Sequence, residues 1–180
     1  MKWFIASDIH GSAYYCEKML EDYKRENADR LLLLGDILYH GPRNDLPRNY
    51  APKKVIAMLS PLKNEIFSVR GNCDCEVDQM VLPFPVLADY SVLDLKERLV
   101  FATHGHIFGE EHPLPMKEGD ILLSGHTHVP RCEEKNGFVF MNPGSVSIPK
   151  ETSAHGHLTL ENGVFLCKKL GGEIYNEYRV

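Results

Sequence analysis

Five short apolar runs in this chain each stop just before side chains able to bind a metal ion, and that repeated coincidence restricts the fold more than any other feature. Trp3 to Ala6 leads to Asp8 and His10, 31–34 to Asp36, 65–69 to Asn72, 99–103 to His104, and 121–124 to His126 and His128. Short apolar runs bounded by Gly, Asn and Asp read as strands. In open α/β sheets the loops beyond the carboxyl ends of strands gather remote side chains into ligand sites. The pattern therefore predicts an α/β protein with its site beyond the strand ends.

Helical signals occupy the first half. Segment 12–26 carries Cys16, Met19, Leu20 and Tyr23 at helical spacing, and 53–59 reads as a helix with Pro52 near its first turn. From residue 85 onward β-rich runs take over, at 99–103, 121–124, 138–141, 156–160 and 164–169. Lys135-Asn136-Gly137 and Glu161-Asn162-Gly163 are hairpin-turn signals. With 180 residues, no internal repeat and no linker-like composition break, the expectation is one domain over 1–180, two half-domains sharing one core.

Charge narrows the partners. Lys and Arg total 20 against 25 Asp and Glu, a net charge of −5, which gives no footprint for nonspecific nucleic-acid or anionic-membrane binding. No apolar run is long enough to span a bilayer. Cysteines at 16, 73, 75, 132 and 167 make no disulfide framework, and the N-terminus lacks a basic segment leading into an apolar signal core. Cytoplasm is the expected compartment.

Two Asp, one Asn and four His form a nitrogen and oxygen donor set without thiolates. Such a set suits Mn, Fe, Co, Ni or Zn better than calcium or a structural thiolate zinc site. Seven donors exceed one tetrahedral ion and suit two ions sharing a carboxylate, an arrangement common in phosphoester hydrolysis. Asp-x-His and His-x-His would place alternate side chains on one side of an extended strand end. Taken singly, these residues could equally be helix caps or turn formers; the joint register favours the metal reading. Cys73-x-Cys75 lacks the second cysteine pair of a zinc motif. His112, His155 and His157 read as surface or strand residues, and the tyrosines as packing.

The succession DIHG (8–11), GDIL (35–38), GNCD (71–74), THGH (103–106) and GHTH (125–128) closely resembles the calcineurin-like metallophosphoesterases. HGPRNDLP (40–47), YAPKKV (50–55), RGNCDCEVDQM (70–80) and NPGSVSIPK (142–150) resemble a bacterial phosphodiesterase branch of that superfamily. The resemblance implies a four-layer α/β/β/α sandwich in which Asp8, His10 and His128 bind one divalent ion, Asn72, His104 and His126 bind the other, and Asp36 bridges them. It implies hydrolysis of phosphodiesters by a hydroxide bridging the two metals, with manganese first and nickel, cobalt, iron or zinc also admitted by ligand softness. Asp36, Asn72, Cys73 and His104 would then stand at the catalytic centre. Many relatives carry His after the Asn of the third motif, credited as general acid; this chain has Cys73.

His40 and Arg43 follow Asp36 in a Pro-rich loop, and Arg suits bidentate phosphate contact, so both are candidate substrate residues together with His106. A solvated loop and a plain packing histidine are the competing readings. Segment 142–147 is expected at the rim of the site. The expected partner is a small phosphodiester, and the resemblance admits a homodimer or homotetramer. Competing functions are a phosphomonoesterase and a catalytically weak protein-binding scaffold, because a eukaryotic scaffold subunit shares the fold.

Overall fold

The computed structural model describes residues 1–180. Eleven strands form two sheets: β1 (Trp3–Ala6), β2 (Arg30–Leu33), β3 (Ile66–Ser68), β4 (Tyr90–Asp94), β5 (Leu99–Thr103), β6 (Ile121–Leu123), β7 (Arg131–Lys135), β8 (Phe138–Asn142), β9 (Gly156–Glu161), β10 (Val164–Lys169) and β11 (Ile174–Arg179). The helices are α1 (Ala13–Arg25), α2 (Pro52–Leu59) and α3 (Glu76–Val81). The first sheet runs β11-β10-β9-β1-β2-β3 and the second β4-β5-β6-β8-β7.

Strand alternation explains the layering. Phe4 and Ala6 of β1, with Leu31 and Leu33 of β2, face α1 and α2 in one apolar cluster. Ile5 and Leu32, pointing the opposite way, join Val100, Ala102, Ile121, Leu123, Val139 and Met141 of the second sheet in the cluster between the sheets. Ser12 starts α1 by accepting the Tyr15 N–H on its hydroxyl at 3.3 Å, and Pro52 stands in the first turn of α2. Both Asn-Gly pairs form the expected hairpin turns, with φ of +52° and +85° at 136–137 and +50° and +77° at 162–163.

Two features differ from the sequence expectation. The outer face of the second sheet, Leu122, Phe138 and Phe140, is covered by Met116 from the irregular stretch 104–120 and not by a helix. Gly105, Gly109, Pro113 and Pro115 break helical continuity there. Nor do the two halves of the chain form two half-domains: β9, β10 and β11 return to the first sheet, where β9 pairs antiparallel with β1. Strand β1 is therefore central only because the C-terminal third lies beside it.

Candidate metal centre

The loops after β1, β2, β3, β5 and β6 converge at one edge of the sandwich. Each leaves its strand in a sharp turn, and five of the seven candidate ligands sit in the left-handed region: Asp8 at φ +59°, His10 at +48°, Asp36 at +55°, His126 at +65° and His128 at +62°. Convergence thus comes from left-handed turns and not from the extended alternation expected of Asp-x-His and His-x-His. Asp and His tolerate this region better than most residues, and main-chain bonds hold it here. The Asp8 N–H donates to the Gly35 carbonyl at 3.1 Å, the His10 N–H to Asp36 at 2.9 Å, and the Gly125 N–H to His104 at 2.9 Å.

Glycines make the approach close enough. A Cβ on Gly71 would run into the Asp36 carboxylate, and one on Gly125 into Ser7 Oγ and Asp8. Asp74 ties the second and third loops together: its carboxylate accepts the N–H groups of Asp36 at 2.8 Å, Ile37 at 2.9 Å and Gly71 at 2.8 Å. Burial pushes its carboxyl up to about 6 against those three bonds.

Three of the four ring donors are aimed. His10 Nδ1 lies 2.8 Å from the Tyr39 carbonyl, His104 Nδ1 2.6 Å from Leu34, and His128 Nδ1 2.8 Å from Ile148. Each neutral ring therefore donates from Nδ1 and turns an Nε2 lone pair inward. His10 Nε2 and His128 Nε2 stand 3.2 Å apart, and Asp8 Oδ1 lies 3.4 Å from the first and 3.2 Å from the second. Asp8 Oδ1 is buried with no hydrogen-bond partner. Metal–donor bonds of roughly 2.0–2.2 Å give donor–donor edges of about 2.8–3.1 Å in octahedral and about 3.3–3.6 Å in tetrahedral sites, so this triangle lies within the range for one cation.

A second group adjoins it. His104 Nε2 lies 3.1 Å from Asn72 Oδ1 and 3.5 Å from Asp36 Oδ2, while Asp36 Oδ2 is also 3.5 Å from His10 Nε2. One carboxylate oxygen thus faces both donor groups. Its other oxygen accepts the Cys73 N–H at 2.8 Å. His126 is aligned by its N–H, which donates to Asp8 Oδ2 at 3.1 Å, and its ring packs 5.1 Å from that of His104.

The electrostatics favour positive charge. Burial opposes ionisation of Asp8, yet contact with His10 and His128 holds its carboxyl well below the usual range; burial also opposes that of Asp36, and His104 lowers it. Burial likewise opposes protonation of His104, but Asp36 and Asp8 raise it to about 9. Burial and the neighbouring His104 push His126 down to about 4. The carboxylate field that attracts a proton to His104 attracts a cation equally. Orphaned Asp8 Oδ1, inward lone pairs and matching edges make the residues a fit for divalent metal.

Of the candidate substrate residues, Arg43 lines the open cleft of about 310 Å³ over this cluster, with Asp36, Asn44, Asn72, Thr127, His126, His128 and Lys150. His40 packs between Tyr39 and Tyr50 and does not line it; its Nδ1 is buried and unpartnered. His106 sits behind, its ring 5.3 Å from that of His104. Cys73 places Sγ within 4.8 Å of the His10 and Asp36 donor atoms, and burial beside Asp36 pushes its thiol up to about 12.

Segment 142–147 is a brace, not the expected rim. Ser145 Oγ and Ser147 Oγ donate to the Asp8 carbonyl at 2.8 and 3.0 Å, and Asn142 Nδ2 donates to the Gly125 carbonyl at 2.7 Å. Small polar groups satisfy these buried carbonyls because no water reaches them. The sequence signal for the brace is a Ser/Asn run set among Pro and Gly. Lys150 closes the NPGSVSIPK motif, but nothing in that motif assigned it to the cleft.

Comparison with known proteins gives the family and the fold. The model of the calcineurin-like phosphoesterase superfamily domain matches residues 1–162. Phosphodiesterase YfcE of Escherichia coli K12 is 46% identical over 164 residues, 91% of this chain and 89% of its own. Probable metallophosphoesterase YsnB of Bacillus subtilis is 27% identical over 171 residues, 90% of this chain and 86% of its own. The solved structure of E. coli YfcE superimposes with a TM-score of 0.95 at 43% identity, covering 99% of both chains. Vps29 of Entamoeba histolytica, solved with Zn²⁺, has a TM-score of 0.60 at 19% identity over 100% of this chain and 98% of its own, a likeness of fold alone.

Proposed function

The chain belongs to the calcineurin-like phosphoesterase superfamily, and from that premise we propose that it cuts phosphodiesters at a pair of divalent cations held by the converging loops. It is a metal-dependent phosphoesterase, and its likeness to phosphodiesterase YfcE makes it a phosphoric diester hydrolase. Asp8, His10 and His128 hold one cation, Asn72, His104 and His126 the other, and Asp36 bridges. The observation that carries the bridge is Asp36 Oδ2, 3.5 Å from both His10 Nε2 and His104 Nε2. Manganese is the first choice for both positions, and the donor set also accepts nickel, cobalt, iron and zinc.

When bound, such a pair supplies Lewis acidity toward the phosphoryl oxygens and a hydroxide nucleophile near neutral pH. The protein's own contribution is positional. Nδ1 anchoring fixes the His10, His104 and His128 rings so that their lone pairs need no reorientation, and the Ser145–Asp8 and Ser147–Asp8 bonds hold the first loop rigid. Arg43 offers a forked cation, suited to anionic oxygens of the substrate, at the open side of the cleft. No side chain here has to form a covalent bond to phosphorus. No helix is long and apolar enough to cross a membrane, and the cytoplasm is the proposed compartment.

The test is purified protein loaded with Mn²⁺, assayed on bis(4-nitrophenyl) phosphate and 4-nitrophenyl phosphate with metal content measured in parallel. Two metals per chain and faster diester than monoester turnover are expected. Asp36→Asn should lower diester kcat/KM by about 10²–10³-fold, comparable to losing one strong transition-state contact, and reduce the metal content. Faster monoester turnover would assign the monoesterase; no metal and no turnover would assign a scaffold.

A further inference from the structure

The cleft over the cluster is lined by no apolar residue, so it offers neither a stacking surface for a nucleobase nor a greasy pocket for an aryl group. Beyond the proposed ligands, its charged side chains are Arg43 and Lys150, and neither is drawn into an ion pair. Two free cations beside a dication pair exceed what a singly charged diester needs.

Lys150 is also held in place. Its N–H donates to the His128 carbonyl at 3.2 Å, the Ile148 carbonyl lies 2.8 Å from His128 Nδ1, and the Ser153 hydroxyl donates to the Lys150 carbonyl at 2.6 Å. The loop bearing it is thereby fixed to a metal-binding histidine. The next two residues are strained, Glu151 at φ +53° and Thr152 at +60°, the second a β-branched residue in a region such residues avoid. Strain of this kind persists where the surroundings hold it, and it collects at ligand-handling loops.

Beyond Lys150 there is room. A second cavity of about 240 Å³ shares Thr127 and Lys150 with the cleft and extends to Arg131 and Phe140. Of its charged side chains, Glu110 is paired with Lys135 and Arg131 with Glu133, which leaves Lys150 and its neighbour Glu151.

We propose that Lys150, with Arg43 on the same cleft, recognises a second anionic group on the non-departing arm of the substrate, so that the preferred diesters are small, polar and doubly charged. This rests on the phosphodiesterase reading and names the substrate class for it. Carboxylate and phosphate share the required chemistry. Three 4-nitrophenyl phosphodiesters separate them, differing only in the retained arm: ethyl, 2-carboxyethyl or 2-phosphonoethyl. With Mn²⁺-loaded protein, kcat/KM for at least one anionic arm should exceed that of ethyl at least tenfold, and the better one names the source. Lys150→Ala should reduce that ratio at least fivefold, and Lys150→Arg should restore most of it.

Calorimetry supplies a readout that needs no turnover: 3-phosphonopropionate should bind more tightly than propylphosphonate, and Lys150→Ala should erase the difference. An equal rate for all three esters, or ratios that survive Lys150→Ala, overturns the proposal. Absence of hydrolysis of every ester overturns the phosphodiesterase reading instead, and the calorimetric comparison then decides the role of Lys150 alone.

Discussion

The Nε2 atoms of His10 and His128 face each other at 3.2 Å, although each ring's Nδ1 lies at hydrogen-bonding distance from a main-chain carbonyl. Two lone pairs so placed repel unless positive charge lies between them, and Asp8 Oδ1 completes the triangle. Cation binding and folding are consequently linked.

Calorimetric melting should register that linkage. Metal at about 100 times its dissociation constant contributes about 2.7 kcal/mol per site, which for a chain of this size raises Tm by roughly 5–10 °C. The same midpoint in EDTA and in Mn²⁺ would show that the triangle takes no cation.

Gly125 tests the close packing behind Asp8. Gly125→Ala places a Cβ against Ser7 Oγ and Asp8 Oδ2 and should weaken metal affinity by about 10–100-fold, the usual cost of disturbing a group that orients a ligand. Gly137→Ala, in the open β7–β8 turn at φ +85°, is the control: it should cost about 1–2 kcal/mol of stability and leave metal titration curves superimposable on those of the parent. Equal metal affinity in both variants would contradict the packing argument.

Cys73 stands where many superfamily members carry a histidine, and its raised thiol pKa makes it a poor proton donor to a departing alkoxide. Cys73→His should therefore increase Mn²⁺-supported turnover of diesters with alkyl leaving groups, by about tenfold or more, and affect aryl leaving groups less. Steady-state rates across a leaving-group series check this; a uniform fall would count against it.

His157 lies far from any proposed ligand role and sets an acid limit on stability. It is fully buried in β9, stacked on Phe4 with ring centroids 4.2 Å apart, and both ring nitrogens lack hydrogen-bond partners, the nearest carboxylate being Asp22 at 3.7 Å from Nδ1. Burial lowers its pKa from 6.5 to about 3. The unfolded chain thus binds the extra proton first, so this contribution is complete above pH 6.5 and drains away as pH falls toward 3. His157→Leu removes two unsatisfied buried atoms; it should stabilise the fold by about 1–3 kcal/mol and flatten urea-derived stability between pH 6 and 4. An unaltered pH slope would place the acid sensitivity elsewhere.

The central strands and every candidate ligand were legible because burial imposes apolar runs and the ligands interrupt them. Strands β7 and β11 were not: Arg131–Lys135 and Ile174–Arg179 lie on sheet edges, largely exposed, and carry no apolar code. Strand β4, on the other edge, is exposed at Tyr90 and Val92 for the same reason. Helix α3 is six residues long, too short for a periodic signal. The role of Ser145 and Ser147 was hidden because their bonds run to a main-chain carbonyl remote in sequence, which no side-chain pattern encodes.

Strand β1 borders β9, and the loop bracing Asp8 comes from residues 142–147, so the first ligand to leave the ribosome is among the last to be secured. During synthesis the nascent chain carries Asp8 without its two serine braces until residues 145 and 147 have been translated. Any fragment that stops short of residue 145 therefore lacks the bonds that hold the Asp8 carbonyl.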